Sequence, residues 1–227
     1  MNFKKNNVYN GKGFFMDQEK IQLYITRFFL FLLLAAVIGN FIAQNWLNLF
    51  TSILAIILIY LPAYLTDKNY LHIPNGLQFF IIVFIFGSMY LGEQREFYYR
   101  FWWWDSMLHL IYGMGMGFIG FVMVYVLNKN ENIDVGLSPI FVAVFAFSFA
   151  VTIGVFWEIF EFWMDNIFGL NMQKSGLIDT MFDLMEDCVG AFITSIIGYF
   201  YIKNKKPSRF QRYLSEVLEK NRKFLKK

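Results

Sequence analysis

The sequence predicts an all-α polytopic membrane bundle of about six transmembrane helices, followed by a C-terminal amphipathic helix. Three observations predict it. The 227 residues are 57% hydrophobic and 21% aromatic but only 16% charged, where a soluble domain carries about 25% charged residues. The apolar residues gather into runs that approach or reach the roughly 20 residues needed to cross about 30 Å of hydrocarbon as a helix. The charges, finally, are segregated. Residues 1–27 hold five basic and two acidic side chains, residues 203–227 ten basic and two acidic, and the 175 between them five basic and thirteen acidic.

The expected spans are residues 28–43, 47–65, 77–91, 106–127, 139–162 and 180–202. The first follows a long polar lead with no A-x-A site, so it reads as a retained span extending outward at both ends. Pro139 suits the first turn of the fifth span, where its missing N–H leaves nothing unpaired. Past Pro207, Ser208 and Gln211 fit a capping box. Phe210, Tyr213, Leu214, Val217, Leu218, Phe224 and Leu225 then recur near helical period among basic residues, the pattern of a helix lying on an anionic inner leaflet. The organisation expected is a cytoplasmic segment 1–27, a transmembrane domain 28–202 and a basic cytoplasmic tail 203–227.

Basic flanks stay on the cytoplasmic side of a plasma membrane. Both ends are therefore expected inside, which requires an even number of crossings. Topology alone then brings the start of span four, the end of span five and the start of span six to the outer face. The basic excess follows from this arrangement and implies no nucleic-acid partner. Cys188, the one cysteine, excludes an internal disulfide and a cysteine-rich zinc site; beside Gly190 and Ala191 it reads as a small packing residue.

Those three places carry acids at helical spacing: Asp105 with His109, then Glu158, Glu161 and Asp165, then Asp179, Asp183, Glu186 and Asp187. At about 100° per residue each set forms a stripe on one helix face. An ionisable group at membrane depth costs at least about 2.5–3.5 kcal/mol, so the stripes are expected to turn inward, toward one another or toward water. Asp105 and Asp179 also suit helix starts, and Asp165 and Asp179 also suit an aqueous loop. Trp102, Trp103 and Trp104 fit an aromatic belt at headgroup level.

Eight carboxylates and one imidazole cannot all be charged in a tight site. Either protons stay on some acids or a cation binds. Oxygen donors with one histidine suit Mg, Mn, Ca or Zn as a divalent cation; no nucleotide or flavin site is indicated. The metal ligands expected are Glu158, Glu161, Asp183 and Asp187. Asp105, His109 and Asp183 are the candidates for catalytic roles, and Arg100 and Lys174 for contact with a phosphate headgroup. Gly113, Gly115, Gly117 and Gly120 lie inside a span, where small residues permit close helix approach rather than nucleotide binding.

With Trp104-Asp105, His109 and the glycine run, Glu158-x-x-Glu161, and Asp179-Thr180-x-x-Asp183-Leu184 before Gly190-Ala191, the C-terminal half resembles the YjdF-like family of bacterial membrane proteins. More distantly it is similar to the VanZ-like family, whose pattern is D-x3-H, E-x-x-Q, a basic residue and D-x3-N-x2-G. Asp105-x3-His109 and Asp183-x3-Asp187-x2-Gly190 follow that pattern with Asp187 in place of Asn; Glu161 stands for Gln and Lys174 for the basic residue. The resemblance covers about residues 102–200 and implies a link to glycopeptide resistance and the cell envelope.

The function expected is an outer-leaflet, cation-binding acidic pocket that binds or acts on a lipid or cell-envelope precursor headgroup, with membrane lipid as partner. Two other classes stay open. A proton- or cation-coupled transporter calls for polar residues continuing to the inner face, where Ser148, Thr194 and Ser195 are the main ones. A structural or regulatory membrane subunit calls for acids that dock a basic partner.

Overall fold

The computed structural model describes residues 9–68, 70, 72–128 and 137–204, all helix and connecting loop. Helix α1 runs Tyr9–Ile42, α2 Trp46–Asp67 and α3 Asn75–Ile85, and α3 continues as a π-helix over Phe86–Gln94. A short α4, Phe97–Arg100, precedes α5 (Trp104–Asn128), α6 (Pro139–Phe168) and α7 (Leu177–Asn204). The expected tail helix lies outside the described residues.

Five helices are long and apolar enough to cross a membrane, over Lys20–Ile42, Trp46–Asp67, Asn75–Gln94, Trp104–Val124 and Pro139–Phe168. The chain is thus an all-α polytopic membrane protein. The expected count of six falls to five by length and composition. α7 is long enough, but Asp179, Asp183, Glu186 and Asp187 in its first half keep it out of the apolar set. Helix starts agree with local chemistry. Ser138 Oγ accepts from Phe141 N at 3.2 Å with Pro139 in the first turn, and α6 stops at Gly169, whose φ of +66° only glycine adopts freely.

The helices divide into two compact units, Met1–Phe97 and Tyr98–Lys227. In the first, Leu33, Ala55, Ile59, Ile82, Phe86 and Tyr90 form the core, and Phe29 stacks on Phe86 at 3.8 Å between ring centroids. In the second, α5, α6 and α7 pack pairwise against one another. Phe121, Val124, Val142 and Ala146 make its apolar core, and the acid-bearing stretches lie toward the opposite ends of the same helices.

Glycines set how closely those three helices meet. A Cβ on Gly113 would collide with the Asp187 backbone, and one on Gly190 with the Leu110 carbonyl. On α6, a Cβ on Gly154 would collide with the Asp187 carboxylate. Further along, Gly117 faces Ala191 and Thr194, Gly120 faces Ala146, and Gly198 faces the Phe121 ring. Gly113, Gly117 and Gly120 therefore act as the small-residue face expected of a membrane helix. Gly113 presses α5 against the turn of α7 that carries Asp187, and Gly117 and Gly120 continue the close approach away from the acids.

Candidate metal centre

Three helices and one loop build the site. Asp105 and His109 occupy the first turns of α5, Asp183 and Asp187 the first half of α7, and Glu158 and Glu161 the second half of α6. Five of the six are buried: His109 is 8% exposed, Glu158 4%, Glu161 8%, Asp183 4% and Asp187 1%. The stripes do turn inward. Asp105 is half-buried at the rim.

His109 is the hub. Its Nδ1 lies 3.3 Å from Asp187 Oδ1, while its Nε2 lies 3.8 Å from Asp183 Oδ1 and 3.9 Å from Asp105 Oδ1. With the Nδ1 proton donated to Asp187, Nε2 presents a lone pair to the two remaining carboxylates. Separations of 3.8–3.9 Å are too long for hydrogen bonds. They suit two atoms each about 2.0–2.2 Å from a common cation and spread widely around it. One donor atom each from Asp105, His109 and Asp183 falls within 4.8 Å of the others.

That set differs from the ligands the sequence suggested. Asp183 belongs to it, and Asp105 and His109 join it. Asp187 sits behind the imidazole, where a carboxylate fixes the tautomer and ring orientation of a ligating histidine. Glu158 and Glu161 are buried on α6, but neither is in the closest set. Both Glu158 oxygens are enclosed without a hydrogen bond of ordinary geometry, although the Thr180 hydroxyl lies near, and Asp187 Oδ2 is likewise unbonded. Unbonded buried carboxylate oxygens are costly unless a proton or a cation reaches them.

The loop from Gly169 to Gly176 brings in the basic residue. Asp165 clamps it, accepting from Met172 N at 2.7 Å and Gln173 N at 2.9 Å. Gln173 Nε2 then donates to Thr180 Oγ1 at 2.8 Å. Held this way, Lys174 pairs with Asp105 Oδ2 and lies 4.3 Å from the centre of the Tyr98 ring. Asp105 thus gives one oxygen to the lysine and turns the other toward His109. Asp165 itself lies in the last turn of α6 rather than in the loop suggested for it, and its role is to hold that loop. Asp179, half-buried at the start of α7, has its carboxyl pushed above the ordinary range by burial, with the Lys174 charge pulling it back.

A cavity of about 230 Å³ opens beside the cluster, lined by Asp105, Lys174, Asp179 and Asp183 together with Tyr98 and Phe182. Arg100, exposed at the end of α4, is not among its lining residues. What sequence reasoning missed is the Asp165 clamp. The signal was Asp165 lying just before a loop bounded by two glycines, Gly169 and Gly176, both with positive φ.

Helical crossings at glycines, with an acid and histidine cluster enclosed between them, define a polytopic membrane protein with a buried site able to hold a cation. The chain belongs to the DUF2238 family of predicted membrane proteins, which it matches over residues 24–204. It is also similar to an uncharacterized protein of Thermotoga maritima, 30% identical over 138 residues, or 61% of this chain and 67% of that one. No solved structure matches it.

Proposed function

We propose that Asp105, His109 and Asp183 hold a divalent cation at the outer face of the membrane, and that the cation and Lys174 together engage the phosphate of a lipid or envelope-precursor headgroup. The observation that carries this is the convergence of three donor atoms within 4.8 Å, two of whose residues, Asp105 and Asp183, line a cavity that also presents Lys174. A carboxylate pair with one imidazole fits Mg, Mn or Zn by donor type. A phosphate reaching the cavity would meet a point charge at Lys174, which keeps one oxygen of Asp105 occupied. The stretches that fit the VanZ-like pattern, Asp105-x3-His109 and Asp183-x3-Asp187, are the ones that meet, which supports reading that likeness as a shared site.

Outer-face placement requires α7 to cross as a sixth helix. Its outward residues support this: Phe182, Met185, Val189, Phe192, Ile196 and Phe200 are exposed large apolar side chains along its length, while Asp183 and Asp187 are enclosed by α5 and α6. Metal analysis of the detergent-purified protein tests the reading. We expect about one divalent ion per chain in the wild type and none in Asp183→Asn. Equal metal content in both, or none in the wild type after purification without chelator, contradicts it.

A further inference from the structure

A second cleft, in the unit Met1–Phe97, has the chemistry of an amphiphile site. It encloses about 280 Å³ between α1 and the π-helical end of α3. Leu32, Ala36 and Gly39, four and three residues apart on α1, line its apolar side, and Tyr90 and Arg95 its polar side. We propose that this cleft binds a membrane phospholipid, with the phosphodiester on Arg95 and the start of an acyl chain along Leu32, Ala36 and Gly39. The proposal does not rest on the acidic site.

The π-helix creates the polar wall. Its five-residue spacing places Arg95 above Tyr90, and the Arg95 N–H donates to the Tyr90 carbonyl at 3.0 Å. Arg95 Nε and Nη2 both donate to the Tyr90 hydroxyl, at 3.1 and 2.7 Å. Tyr90 itself is only 4% exposed, so it fixes the guanidinium without neutralising it. Among the described residues Arg95 has no carboxylate within ion-pair distance. Wide turns of this kind are rare and recur at functional sites.

Depth and charge select the ligand. The apolar crossing segment that carries Gly39 ends at Ile42, and the one before Arg95 ends at Gln94. The guanidinium therefore sits where hydrocarbon gives way to headgroups, and the small-residue groove runs inward from it. Arginine presents a planar fork suited to phosphate oxygens. Glu93 and Glu96 flank it in sequence, which favours a singly charged phosphodiester over a doubly charged monoester. The cleft floor is rigid, because Asn40 Nδ2 donates to Ser52 Oγ and Gln94 Oε1, each at 3.3 Å.

The test is native mass spectrometry of the full chain titrated with phosphatidylglycerol, with glycerol phosphate as competitor. A Cβ at Gly39 meets nothing within 4 Å, so Gly39→Leu fills the groove without straining the helix. Arg95→Gln removes the cation. We expect one tightly retained lipid per chain, retention weakened about tenfold or more by each substitution, and no competition from glycerol phosphate at matched concentration. Retention that survives either substitution overturns the proposal, as does glycerol phosphate competing as well as the lipid.

Discussion

Among the described residues of the unit Met1–Phe97, the buried Ser52 and the half-buried Asn40 and Gln94 are neutral and satisfy one another. Ser52, fully buried, donates to the Asn48 carbonyl at 2.6 Å and accepts from Gln94 Nε2 at 2.9 Å, and Asn40 closes the group. In the unit Tyr98–Lys227 the described buried polar side chains are ionisable apart from Ser195, and the ionisable ones leave one another wanting. One imidazole faces three carboxylates, and Glu158 has no hydrogen bond of ordinary geometry. The contrast separates polar groups that hold helices together from polar groups arranged for a ligand. Neutral pairs complete their own valences, whereas like charges need something brought in.

The largest effect expected is on the crossing that builds the second unit. Gly190→Leu drives a side chain into the Leu110 carbonyl, which cannot move without unwinding α5. We expect loss of monodisperse protein on size-exclusion chromatography. Gly39→Leu in the first unit, with open space at that position, is expected to run as wild type. Equal behaviour of the two would break the distinction between a packed crossing and an open groove.

Next comes Asp187→Asn. It keeps the shape behind His109 but weakens the charge that orients the ring, and outer partners of this kind are worth about 10–100-fold in metal affinity. Isothermal titration with Mn should show a loss in that range, smaller than the complete loss in Asp183→Asn. Equal losses would make Asp187 a ligand, as the sequence first suggested.

A smaller effect of opposite sign is expected at Glu158. Glu158→Gln replaces an enclosed carboxylate that lacks a hydrogen bond of ordinary geometry with a neutral amide of the same shape, which is cheaper to bury than an acid. In chelator, thermal unfolding should rise by about 2–4 °C, the shift that about 1 kcal/mol gives a chain of this size. The least change is expected from Ser52→Ala, about 0.6 kcal/mol as for other hydrogen bonds between membrane helices. Its melting temperature should fall by no more than a few degrees. A larger fall there than in any second-unit variant would invert the comparison.

Much of this was legible in the sequence, and the reason is periodicity. Asp105 and His109, Glu158 and Glu161, and Asp183 and Asp187 each fall on one helical face inside apolar segments, so their inward turn follows from the cost of exposing them to lipid. The glycine run likewise announced a close crossing. The ligand set was not legible in the same way. Whether Asp105 or Asp187 faces Nε2 depends on the rotation of α7 against α5, which the Gly113 and Gly190 contacts decide. The count of crossings differs by the same acids: the sequence reading counts residues 180–202 as a sixth span, whereas by length and apolar composition five helices qualify and α7, with four acids in its first half, does not. The Asn40, Ser52 and Gln94 group left no signal, because it joins three helices through residues that are each unremarkable alone. The π-helix before Arg95 was equally silent.

Electron spin-echo spectroscopy of Mn bound to the purified chain tests the central claim most directly, since it reads whether an imidazole nitrogen lies against the metal. The account predicts a nitrogen modulation in the wild type that disappears in His109→Gln and persists in Glu158→Gln. Bound Mn with no nitrogen modulation, or a modulation untouched by His109→Gln, would contradict it.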